Sequence, residues 1–187
     1  MTVKTRVATA ALALLGAVSL VVVGAAPATV SKGKPEPPTL RGAPKLSATP
    51  VFKLRLKPSQ EVPPVTGLRA DAVGSVTFDL ERSTTGAIIS GEVVFYVNYA
   101  FPSSVTITGL HVHQGAKGTN GPVVIDSGVT SFTDADGQGN VTTVVTGVSP
   151  TTLQAILDSP RGYYVNLHTS ANPSGALRDQ LHNPRKR

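Results

Sequence analysis

The sequence predicts an all-β domain, an antiparallel Greek-key sandwich or flattened barrel with one short helix. Three observations predict it: apolar residues that recur with a period of two, turn residues that break those runs at short intervals, and a single segment with helical spacing. Phe52, Leu54 and Leu56 alternate with Lys53, Arg55 and Lys57, which on a strand separates the two sets onto opposite faces. Val76, Phe78 and Leu80 repeat the pattern, and Ile89, Val93, Phe95 and Val97 extend it across Gly91. Further β-rich runs cover 105–114, 122–126, 141–146, 163–169 and 176–181. Between them stand Thr84-Thr85-Gly86, Asn120-Gly121, Asp136-Gly137 and Pro173-Ser174-Gly175, the residue types that turns select. At least seven strands follow, with Leu54, Val76, Phe78, Val93, Phe95, Val97 and Leu167 in the core. The helix is expected after Ser149 as cap and Pro150 at its first position, with Leu153, Ile156 and Leu157 on its buried side and Ser159-Pro160 as its stop. It is expected to cover one open end or edge of the sheets.

The rest of the chain reads as export machinery and tether. Residues 1–28 have the layout of a secretory signal peptide: Lys4 and Arg6, an apolar stretch from Val7 to Val23, and the small-residue exit Ala26-Pro27-Ala28. Residues 29–50 form a spacer carrying Pro35, Pro37, Pro38, Pro44 and Pro50, a composition that favours extended chain. The folded domain is expected over 51–182, followed by a basic tail over 183–187. The formal charge of +6 resides in the flanks, because residues 51–184 hold eight basic and ten acidic side chains, a balance of −2. The folded part therefore carries no electrostatic footprint for nucleic acid. Once the signal is cleaved no transmembrane segment is expected, which points to a secreted or extracytoplasmic protein with a metal ion, an extracellular protein or a cell surface as its partner.

The chain has no cysteine. The domain is thus held by its core alone, and any metal site must use imidazole or oxygen ligands. His111 and His113 flank Val112, so on a strand both rings project from one face while Leu110 and Val112 point to the other. The same alternation places Tyr164, Asn166 and His168 together. Convergence of the two strands would bring three neutral imidazoles to one point, a donor set that suits copper or zinc. Two histidines in ordinary structural hydrogen bonds satisfy the same spacing.

Gln60-Glu61-Val62-Pro63-Pro64, Gly109-Leu110-His111-Val112-His113-Gln114-Gly115, Asn120-Gly121-Pro122-Val123-Val124, Tyr164-Val165-Asn166-Leu167-His168-Thr169 and residues 172–181 resemble the CHRD domain in order and spacing. That family is named for its occurrence in chordin and is widespread in exported bacterial proteins. The resemblance spans about residues 52 to 182 and implies an immunoglobulin-like or barrel-like β fold outside the cell. Asp179 stands where the family's usual ending has glycine. Residues 109–115 are also similar to the copper-site strand of Cu,Zn superoxide dismutases, which would make His111, His113 and His168 copper ligands in a superoxide dismutase-like fold. That likeness lacks the further histidines of a bridging or zinc subsite, so dismutase activity is a minor expectation.

Around the histidines, Glu61 is expected in a rigid turn as a carboxylate that could hydrogen-bond an imidazole, with Asn166 as the other polar candidate. Arg178 is expected to bind an anion near them or to pair with Glu61 or Asp179. Asp134-Ala135-Asp136-Gly137 has the spacing of a calcium-binding turn but reads better as a hairpin turn. His182 lies in the polar tail and is expected to be dispensable. No nucleophile elbow, Walker or dinucleotide motif is present. The leading expectation is metal binding, copper before zinc, through His111, His113 and His168. The alternative is a non-catalytic interaction or scaffold module in which the same histidines pin the sheets together.

Overall fold

The structure is a computed structural model and describes residues 49–184. The expected signal peptide, the expected spacer up to residue 48 and the last three residues of the expected tail lie outside the described residues. Pro50, read as the end of the spacer, is buried, and its carbonyl accepts the Phe78 N–H at 3.0 Å.

The described chain forms nine strands in two antiparallel sheets, a sandwich with no closed barrel. One sheet runs in the order β1 (Val51–Leu56), β2 (Asp71–Arg82), β3 (Ile88–Ala100), β7 (Gln138–Val145). The other runs β5 (Val123–Asp126), β4 (Val105–Gln114), β8 (Tyr163–Thr169), β9 (Leu177–Gln180), and β6 (Phe132–Asp134) also pairs with β4. The period-two residues meet between the sheets. Leu54, Val76, Phe78, Val93, Phe95, Val97 and Leu167 are all buried there, joined by Leu110, Val112, Val165 and Leu177 from the second sheet. Phe52 and Phe78 pack edge to face with ring centroids 5.0 Å apart, the arrangement the ring quadrupoles favour.

Three expectations change on folding, and one strand is added. Ile89 is exposed and Ile88 is buried instead, because a register shift opposite Glu81 and Arg82 inserts one residue and flips the alternation. The short strand β6 follows no clear alternation and is defined by its pairing with β4. The Asp136-Gly137 turn does not close a hairpin: β6 pairs in one sheet and β7 in the other, so it carries the chain across the sandwich. Asp134 Oδ1 accepts the backbone N–H groups of Asp136 and Gly137, so this carboxylate braces the turn. Finally, α1 (Pro150–Asp158) begins after Ser149 as expected, but the Ser149 side chain makes no capping bond. Leu153 and Ile156 are buried, and the helix packs on β3 where Gly91 lacks a side chain that would collide with Leu153.

One corner of the sandwich is stitched. Beyond β1, Lys57 exchanges both backbone hydrogen bonds with Arg178 of β9. Asp179, pointing the other way from Arg178, accepts the Arg55 N–H at 2.6 Å. This carboxylate thus satisfies an edge donor of β1. From this corner the segment after Lys57 runs over the outer face of the second sheet. There Glu61, Tyr164, Asn166, Arg178 and Gln180 are buried although they face away from the core. That polar layer is the setting of the histidines.

Candidate metal centre

Strand pairing sets the site. In the β4–β8 register His111 stands opposite Asn166, His113 opposite Tyr164 and Gly109 opposite His168. His168 is thus one step along the sheet from His111. Gly109 makes room for the arrangement, since a side chain there would meet the His111 ring, with Cβ 2.7 Å from Cε1. The three rings gather with centroids 4.8 to 5.6 Å apart. One nitrogen from each of His111, His113 and His168 lies within 4.8 Å of the others.

The partners of the remaining nitrogens fix the tautomers. His113 Nδ1 is 3.0 Å from the Gly121 carbonyl, and His168 Nδ1 is 3.0 Å from the Pro173 carbonyl. A carbonyl only accepts, so both Nδ1 atoms carry hydrogen and both Nε2 atoms carry lone pairs in the neutral rings. Those two Nε2 atoms face each other at 3.4 Å. His111 Nε2 lies 3.5 Å from Asp126 Oδ1, and His111 Nδ1 is buried without a partner. His113 is buried, while His111 and His168 are half-buried. Burial pulls His111 and His113 below the ordinary imidazole value, and the neighbouring His168 adds to the effect on each. Neutral rings with converging lone pairs can hold a proton or a metal cation.

Other candidate residues are placed differently from expectation. Glu61 reaches no histidine; it accepts from Asn166 Nδ2 at 3.3 Å, because Asn166 projects beneath the turn that carries Glu61. The histidines' partners are instead Gly121, Pro173 and Asp126. Two of these are backbone carbonyls, which carry no residue-type signal, and Asp126 comes beside His111 only through the β4–β5 register. Arg178 forms no salt bridge with Glu61 or Asp179 among the described residues. Its guanidinium lies 3.4 Å above the centre of the Tyr164 ring, and Tyr164 in turn stacks on His113 at 4.9 Å with the planes 8° apart. Asn120-Gly121 lies in the connection between β4 and β5, just past a turn at Ala116–Thr119, and Asn120 Nδ2 donates to the Val62 carbonyl at 2.6 Å. His182 is exposed and outside the cluster. No helix among the described residues is long and apolar enough to cross a membrane.

No curated protein and no solved structure matches the chain. The family model of the CHRD domain matches residues 52–181, a stretch that runs from β1 to just past β9 and holds all three clustered histidines. The chain belongs to the CHRD domain family.

Proposed function

We propose that this protein is exported and binds a metal ion outside the cytoplasm, copper in preference to zinc, through His111, His113 and His168. One observation carries the reading: His113 Nε2 and His168 Nε2 face each other at 3.4 Å while both Nδ1 hydrogens are committed to carbonyls. Two lone pairs so placed repel unless a cation lies between them. Nitrogens bound to one metal at about 2 Å stand about 3.3 Å apart in a tetrahedral site, which matches this pair. His111 Nδ1, buried and without a partner, is the natural third donor, with Asp126 holding the opposite nitrogen of the ring. Copper is preferred because imidazole donors bind divalent copper more tightly than zinc at a given site.

Copper and zinc titration of the secreted protein tests the reading, beside His111→Ala, His113→Ala, His168→Ala and His182→Ala. Loss of binding in the first three with retention in the fourth is the expected result. Equal weak binding by all five proteins would remove the metal site and leave a scaffold in which the histidines serve structure. Intact mass of the secreted material tests export, with a mature chain beginning near Thr29 expected.

A further inference from the structure

Arg178 is fully buried, yet none of its hydrogen bonds goes to a histidine. A buried guanidinium is costly unless its N–H groups find acceptors. Nη1 donates to Asn120 Oδ1 at 3.1 Å. Nη2 is within 2.9 to 3.4 Å of the Thr119 and Ala116 carbonyls and Gln180 Oε1. Three of these four acceptors belong to one loop, the connection between β4 and β5. The next residue of that loop is Gly121, whose carbonyl holds His113 Nδ1 and whose N–H points to the Tyr164 hydroxyl at 3.3 Å. The guanidinium face meanwhile covers the Tyr164 ring. Because β8 lies between β4 and β9, Tyr164 stands between Arg178 and His113. Arg178 therefore reaches His113 by two routes, through the loop that supplies its hydrogen-bond acceptor and through the ring against which it stacks.

We propose that Arg178 is a positioning residue of the metal centre: by clamping the β4–β5 loop and pinning Tyr164, it fixes the plane and the tautomer of His113 so that Nε2 faces His168 and the bound metal. Arginine suits this task because its planar fork serves several acceptors while its face stacks; a lysine keeps the charge and loses both. The role at the metal rests on the metal-binding reading above, whereas the tautomer is a property of the metal-free protein, so the two can fail separately.

The test is nitrogen-15 imidazole NMR on the metal-free full-length secreted chain, followed by copper titration, for the wild type, Arg178→Met and Arg178→Lys. The wild type is expected to show hydrogen on Nδ1 of both His113 and His168. Arg178→Met should lose that preference at His113 and keep it at His168, whose acceptor is the distant Pro173 carbonyl, with copper affinity falling about tenfold. Arg178→Lys should fall between. His113 that keeps Nδ1–H in a folded Arg178→Met protein overturns the proposal. Where Arg178→Met does not fold, Arg178→Lys decides: an unchanged His113 tautomer and unchanged affinity overturn it. An Arg178-dependent tautomer in a protein that takes up no copper overturns the metal reading and leaves the positioning of His113 standing.

Discussion

Glu61 and Asn166 meet behind the histidines as an incompletely matched pair: the amide donates to Glu61 Oε2 at 3.3 Å, while Glu61 Oε1 and Asn166 Oδ1 are both buried without a donor. Gly175 closes over them, and a side chain there would strike both residues. Two acceptors left side by side away from water are relieved if the carboxyl is protonated and donates.

Burial pushes the Glu61 carboxyl up to about 7, against the partial opposition of Arg178 and Asn166. The folded state thus binds a proton that the unfolded chain releases near pH 4.5, so this group lowers stability progressively as pH rises from 4.5 to about 7, with no further loss above. The difference is roughly 2 kcal/mol after allowance for solvent screening. Glu61→Gln, which supplies the missing donor without ionising, should match the wild type near pH 5 and exceed it at pH 8. Urea denaturation of both proteins at the two pH values measures this; parallel curves would refute it.

His111 and His113 are held below the ordinary imidazole value of 6.5, so both are neutral at pH 7 and ready to coordinate. Copper affinity should fall as the pH drops through the imidazole range, where metal and protons compete for the same nitrogens. Competition titrations across pH 4.5 to 8 would show it. Affinity that is flat across that range would place the metal elsewhere.

Gly109→Ala adds a methyl group where the His111 ring lies, in a strand where alanine's backbone is tolerated. The ring must move off its place beside His168. Copper affinity should fall by about tenfold or more while the melting temperature changes by only a few degrees. Calorimetric titration and thermal melting separate the two effects, and a variant that binds like the wild type would show that His111 is not a ligand.

Asp179→Ala leaves the Arg55 N–H without the acceptor it now has at 2.6 Å. The expected cost is about 1 to 2 kcal/mol, and copper binding should be unaffected because Asp179 faces away from the histidines. Denaturant midpoints test the first part. A loss of affinity without loss of stability would contradict the assignment of Asp179 to the β1 corner.

The fold class was legible because alternation is a local property. Phe52, Leu54, Val76, Phe78 and Phe95 declare their buried face within a few residues, and cysteine's absence leaves the core alone to hold the sheets. The same rule set His111 and His113 on one face, and Asn166 and His168 on one face, before any pairing was known. It failed at Ile89, where one inserted residue reversed the alternation, and at β6, three residues that strand pairing alone defines.

What the sequence could not contain is which strands lie side by side. The 55 residues between His113 and His168 are spanned by the β4–β8 register, and that pairing alone brings their Nε2 atoms to 3.4 Å. Tertiary packing also decides that Glu61 meets Asn166 rather than a histidine, that Arg178 covers Tyr164 and binds the β4–β5 loop, and that two of the three histidines are oriented by main-chain carbonyls. A carbonyl is the same in every residue, so its position is set by the path of the folded chain, and no residue type can announce it. By itself the sequence determined the faces on which the imidazoles stand; tertiary structure decided that those faces meet and which nitrogens remain free, because register and loop path are long-range properties fixed only when the core closes.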